Sequence, residues 1–192
     1  MSQQATPTTV FTIGHSTHTL EEFVEILRSH QIDLVADVRT VPRSHRNPQF
    51  NRETLPNALK AAGIRYVHLS ALGGLRRPAA NSPNGGWRND SFRGFADYMQ
   101  TAEFSKAVDG LLEMTRAHRV AVMCAEAVPW RCHRLLIGDA LLVRGARVED
   151  IMGVARAQPH ALTAWAHVDG TRITYPAPAP DDVGGGGSEP DG

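Results

Sequence analysis

Residues 9–39, TVFTIGHSTHTLEEFVEILRSHQIDLVADVR, decide the fold class. Thr9–Ile13 reads as a strand that ends at Gly14, His15 and Ser16. From Leu20 to Ser29 the apolar residues Leu20, Phe23, Val24, Ile26 and Leu27 share one helical face, and Thr19 with Glu22 three positions on makes a capping box. Ile32–Val38 is an apolar run broken by Asp33 and Asp37 and followed by Arg39, as a central parallel strand presents polar groups at its carboxyl end. Strand, helix and strand within about 30 residues form a βαβ unit. The expectation is a single three-layer α/β domain with a mostly parallel central sheet, Rossmann-like or rhodanese-like.

Working outward, TVPRSHRNPQFN (residues 40–51) carries Pro42 and Pro48 and so reads as a loop at a strand's carboxyl end, where open α/β sheets place their ligands. Glu53–Ala62 is a short helix stopped by Gly63, and Ile64–Leu69 is a third strand. Residues 70–91 form a long irregular stretch, a lid candidate through Arg76, Arg77, Trp87 and Arg88. Phe92–Met99 and Glu103–His118 follow as helices. Then comes RVAVMCAEAVPWRCHR (residues 119–134), a buried strand passing into a cluster of reactive groups, with a helix from Leu135 to Val143 behind it. Val148–Met152 reads as a short helical or extended piece. Residues 165–168 and 171–175 make a small C-terminal hairpin across Asp169 and Gly170. Residues 1–8 are expected to be a flexible leader, 9–176 the folded domain, and 177–192 a disordered glycine-rich tail.

The chain has 192 residues, 42% of them hydrophobic, which suits one globular core. Lysine plus arginine and aspartate plus glutamate each number 20, so overall charge supplies no pull toward nucleic acid. Lys60 and Lys106 are the only lysines, a bias that suits anion binding but that a composition-biased genome accounts for more readily. With two cysteines, no secretory signal and no apolar run of about 18 residues, the expectations are no disulfide scaffold, no membrane contact and a cytoplasmic location with reduced thiols.

The candidate site gathers at three strand ends. Cys124 is a candidate nucleophile, its thiolate favoured by Arg131, Arg134 or protonated His133, or else the last buried residue of its strand. Cys132 at the start of the following helix could form a transient disulfide with it, although the spacing far exceeds Cys-x-x-Cys. Cys124, Cys132 and His133 could also be metal ligands, with His15 or Glu126 as a fourth. Adjacent residues point about 100 degrees apart on a helix, so no metal and no cofactor is assigned. Glu126 is a general base or a partner of Arg131 or Arg134. His15 is an acid or base or a structural hydrogen-bonding group, and Gly14 and Ser16 shape the turn beside it. Asp37 orients Arg39 or His15, or is satisfied by backbone amides. Arg39, Arg43, Ser44, Asn47, Phe50, Arg131 and Arg134 are the substrate-binding candidates, groups that hold phosphates or stack on bases. GHSTHT lacks the repeated glycines of a dinucleotide site, and no P-loop is present.

FTIGHS, DVRTVPRSHRNPQFN with GIRYVHLSALGG, and MCAEAVPWRCHR, in this order over residues 10–170, resemble the prokaryotic family catalogued as domain of unknown function 488. The resemblance implies a compact α/β domain in which these segments converge, and it implies no established reaction. A weaker similarity is to rhodanese-like domains, whose early strand also ends in Asp-x-Arg and whose catalytic cysteine follows a later strand. In those domains five residues usually separate that cysteine from an arginine; six separate Cys124 from Arg131 here, and Pro129 has no amide to donate. The function expected is an enzyme acting on a small anionic substrate, nucleotide-like ones included. A nucleic-acid or nucleotide-binding module without catalysis is the alternative, and a metal-dependent hydrolase or lyase the third.

Overall fold

The computed structural model describes residues 8–155 and 157–178, so most of the expected leader and tail lies outside the described residues. The domain is α/β, with strands β1 (Thr9–Gly14), β2 (Leu34–Asp37), β3 (Arg65–His68), β4 (Val120–Cys124), β5 (Arg147–Ile151) and β6 (Gln158–Pro159) in the order β3-β2-β4-β1-β5-β6. The first five are mutually parallel, and β6 runs antiparallel to β5 at the edge. Among the described residues no helix is long and apolar enough to cross a membrane.

Strand periodicity sorts the core into two layers. Phe11, Ile13, Val35, Ala121 and Met123 face α1 (Leu20–Ser29) and α2 (Leu55–Ala61), where they meet Phe23, Ile26, Leu27, Leu55 and Leu59. Val10, Leu34, Ala36, Val120 and Val122 face α3 (Asp90–Tyr98), α4 (Ala102–Met114) and α5 (Arg134–Leu142), through Phe95, Phe104, Val108, Leu111, Leu136 and Ile137. Because side chains alternate along a strand, Cys124 shares the α5 face with Val120 and Val122. The capping box of α1 is present, with Glu22 N–H donating to Thr19 Oγ1 at 3.2 Å and Thr19 N–H to Glu22 Oε2 at 2.8 Å. Full burial of Phe23 and Leu27 then contributes roughly 1.5–3 kcal/mol per side chain.

Of the two forms expected for the 148–152 piece the extended one is found: it is strand β5, paired with β1, with Asp150 accepting from Thr12 of β1 and Glu149 pairing with Arg147 two positions before it. Two expectations are corrected. The hairpin joins β7 (His167–Asp169) to β8 (Arg172–Thr174), so its turn is centred on Gly170–Thr171, one residue later than the Asp-Gly pair; Gly170 at φ +60 supplies the positive angle the tight turn needs. The 70–91 stretch is tied to the body. Arg76 lies 3.6 Å over the Tyr98 ring, Trp87 packs on Phe92, Trp165 and Tyr175, and buried Asn84 bonds Asp97.

The crossover through α1 leaves β1 on one face of the sheet, and the crossover through α5 leaves β4 on the other and travels in the opposite direction. The carboxyl ends of β1 and β4 therefore form a topological switch point, the crevice where such sheets hold ligands.

Candidate functional site

Gly14 and Cys124 are paired across β1 and β4. Beyond them the strands stay joined, with His15 N–H donating to Cys124 O at 3.0 Å and Ser16 N–H to Ala125 O at 2.9 Å. The chain after Cys124 crosses directly over Gly14. A Cβ there would lie 1.7 Å from Glu126 O, so only glycine admits the crossing. Ser16 follows at φ 47, in the left-handed region, beside a cleft of about 850 Å3.

The cleft is lined by His15, Ser16, Arg39, Arg43, Ser44, Asn47, Cys124, Glu126, Arg131 and His133 among the expected residues. Arg46, Thr40, Leu75, Asn89 and Cys132 also line it. Gly14, Asp37, Phe50 and Arg134 stand behind this surface. Phe50 is fully buried, stacked on the His15 ring at 4.2 Å, and so is withdrawn from the base-stacking role its type suggests. Asp37 orients Arg39 through a two-pronged pair, Nε to Oδ1 at 2.9 Å and Nη2 to Oδ2 at 2.6 Å, and also accepts from Tyr66 Oη at 2.8 Å. Arg39 Nη2 donates to Phe50 O as well, so the guanidinium enters the cleft in a fixed orientation.

Both nitrogens of His15 are engaged: Nδ1 donates to Ser16 O at 3.0 Å, and Nε2 accepts from Arg39 Nη1 at 3.2 Å. Burial first, and then the Arg39 charge, lower its pKa to about 4. A neutral, doubly bonded ring positions Arg39. His133 donates from Nε2 to Val38 O at 3.1 Å, and burial lowers its pKa to about 4. It is therefore uncharged near neutral pH, and Arg134 supplies the cation beside the cysteines instead. Glu126 is exposed, and its carboxylate forms no ion pair among the described residues; Arg134 Nη2 takes the Glu126 backbone oxygen, at 2.7 Å.

Cys132 departs most from expectation. It precedes α5 in extended backbone, φ −148 and ψ 162, so the helical-direction argument separating it from His133 does not apply. The linker folds it back until its sulfur lies 2.9 Å from that of Cys124, with both thiols free and buried. Arg134 donates to Cys132 Sγ from its backbone amide at 3.3 Å and from Nε at 3.4 Å. The Cys132 thiol is the first cause lowering the Cys124 pKa to about 6; burial opposes it, and Arg134 and the amides of Glu126 and Ala125 add to it. Cys132 is pushed well above the ordinary thiol range by burial and by the Cys124 charge. One thiol is thus ionised and the other holds the shared proton.

Cys124, Cys132 and His133 have ligating atoms within 4.8 Å of one another, a cluster that could hold a metal ion or an anion. Two thiolates on a tetrahedral zinc stand roughly 3.8 Å apart, given Zn–S bonds of about 2.3 Å. The closer observed approach, with a guanidinium alongside, suits a shared proton better.

A model of the family described as "Domain of unknown function DUF488" matches residues 19–141, from the cap of α1 to the last turn of α5. No curated protein and no solved structure matches the chain.

Proposed function

Because the chain belongs to the DUF488 family, whose description names no reaction, we propose its function from the site: an enzyme that acts on an anionic substrate with the Cys124 thiolate as nucleophile. The observation that carries this reading is the Cys124 sulfur on the floor of an arginine-bearing cleft, sharing a proton with Cys132 above the fully buried Arg134. Arg39, its charge balanced by Asp37, keeps one edge of its guanidinium on the cleft, and exposed Arg43, Arg46 and Arg131 supply the positive charge around its mouth. An anion entering there meets converging guanidinium groups and a sulfur that is ionised near neutral pH. Free thiols of this kind persist in a reducing compartment, and the cytoplasm is the location we assign.

Alkylation tests the reading. Iodoacetate should label Cys124 with a rate that rises through about pH 6, faster than neutral iodoacetamide does, and inorganic phosphate should slow it. Labelling that begins only near pH 8.5, the ordinary thiol pKa, with no preference for the charged reagent would remove the proposal. The arginines at the mouth also favour a second reading, a nucleotide or nucleic-acid-binding module. A steep fall in oligonucleotide affinity with salt would support it.

A further inference from the structure

The two cysteines are placed for more than a shared proton. A disulfide needs sulfurs about 2.05 Å apart, so bonding Cys124 to Cys132 requires roughly 0.9 Å of further approach. Cys132 lies in the extended linker between the turn at Pro129–Arg131 and α5, where a torsional shift unwinds no helical turn. Resting on the reading of Cys124 as nucleophile, we propose that Cys132 is its resolving partner and that the cleft reduces anionic organic disulfides by a two-thiol cycle.

In the first step the Cys124 thiolate attacks one sulfur of the substrate disulfide. A Cys124–substrate mixed disulfide forms, the substrate S–S bond breaks, and the other half leaves with the electron pair. That leaving thiolate takes the Cys132 proton. Cys132 then attacks Cys124 Sγ, forming the Cys124–Cys132 disulfide and expelling the second half as a thiolate. Two electrons have passed from the enzyme to the substrate, and a cellular dithiol returns them.

The surroundings time the second step. While Cys124 is a thiolate, its charge and its hydrogen bond keep Cys132 protonated. Once Cys124 is covalently occupied that charge is gone. Arg134 Nε and its amide, at 3.4 and 3.3 Å, then favour the Cys132 thiolate. Arg43 and Arg131 at the mouth of an 850 Å3 cleft fit carboxylates on a substrate of appreciable size, recognition that a small hydroperoxide would not use.

The test uses the full chain with dithiobis(nitrobenzoate), a disulfide bearing a carboxylate on each ring, against neutral dithiodipyridine. Wild type should release both thionitrobenzoate halves and lose only two hydrogens in intact mass. Cys132→Ser, with Cys132→Ala in reserve should serine disturb folding, should release one half and retain the other on Cys124. The anionic reagent should react about tenfold or more faster than the neutral one. A mixed disulfide that persists on wild-type Cys124 overturns the resolving role and leaves the nucleophile reading intact. Equal rates for the two reagents overturn the substrate class. Thiols that react only after unfolding overturn both readings, and thiols that react only after a chelator is added identify a metal site and overturn the cycle.

Discussion

Two polar clusters sit on either side of Arg134, and they handle similar groups in opposite ways. At the cleft, Cys124, Cys132 and Arg39 border open space. On the far side, His160 donates from Nδ1 to Asp150 at 2.9 Å and from Nε2 to Asp139 at 3.2 Å. Asp139 also accepts from Tyr175 Oη at 2.8 Å and from Thr163 N–H at 3.1 Å, and Thr12 Oγ1 donates to Asp150 at 2.5 Å. Arg134 Nη1 reaches Thr12 at 3.4 Å and so links the two clusters. In the sealed network each charge faces its opposite and the carboxylates are filled with donors. At the cleft the nucleophile shares one proton and still faces open space, so reactivity follows from what is left unsatisfied.

The sharpest break between the two regions is expected from Cys124→Ser. It should abolish rapid low-pH alkylation while leaving thermal unfolding close to wild type. Asp139→Ala should do the reverse. It removes the shared buried acceptor of His160 Nε2, Tyr175 Oη and the Thr163 amide and should cost about 3–5 kcal/mol in urea denaturation, with the alkylation rate of the remaining folded protein unchanged.

The two regions should also respond oppositely to pH. His160 has its pKa raised to about 9 by the two aspartates, which outweigh burial, the largest single influence. Its contribution is fully present below about pH 6.5 and is lost as pH rises through about 9, a swing of roughly 3 kcal/mol that His160→Gln should flatten. His15 and His133 are bases with pKa values lowered to about 4. Between pH 6.5 and 4 the unfolded chain binds protons that the folded site refuses, so their contribution is lost on acidification. Hydrogen exchange should show the cleft loosening first in acid and the His160 network first in alkali; the same order at both extremes would remove the distinction. The smallest effect, about 1 kcal/mol, is expected for Thr19→Ala, which deletes the α1 cap and should leave alkylation and the alkaline transition alone.

The contrast also explains what the sequence could reveal. The βαβ unit, the α1 cap and the convergence of Gly14, Arg39 and Cys124 were legible because periodicity and strand ends are local signals. The His160 network was not legible, because Thr12 and Asp150 are 138 positions apart and nothing near either residue marks the other. β5 is ambiguous in sequence because Glu149 and Asp150 interrupt an apolar run; Arg147 pairs locally with Glu149, but Thr12 and His160, which hold Asp150, are brought to it by the fold. The meeting of Cys132 with Cys124 is hidden in the sequence because a position just before a helix suggests helical direction, whereas the Cys132 backbone is extended. The placement of Arg134 behind the sulfur depends on the crossing over Gly14, which residue type alone does not specify.

The position of β1 between β4 and β5 has a consequence for biosynthesis. At about 5–20 residues per second, on the order of ten seconds pass between translation of Gly14 and of Ile151. Until β4 is made the apolar stretch Val10–Ile13 has neither lateral neighbour, and until β5 is made it has only one, so loop closure over more than a hundred residues must precede its burial. The two sulfurs cannot meet in their final surroundings until the first strand is finally enclosed. Assembly of the reactive pair is therefore a late event, and β1 is a segment a chaperone would usefully shield.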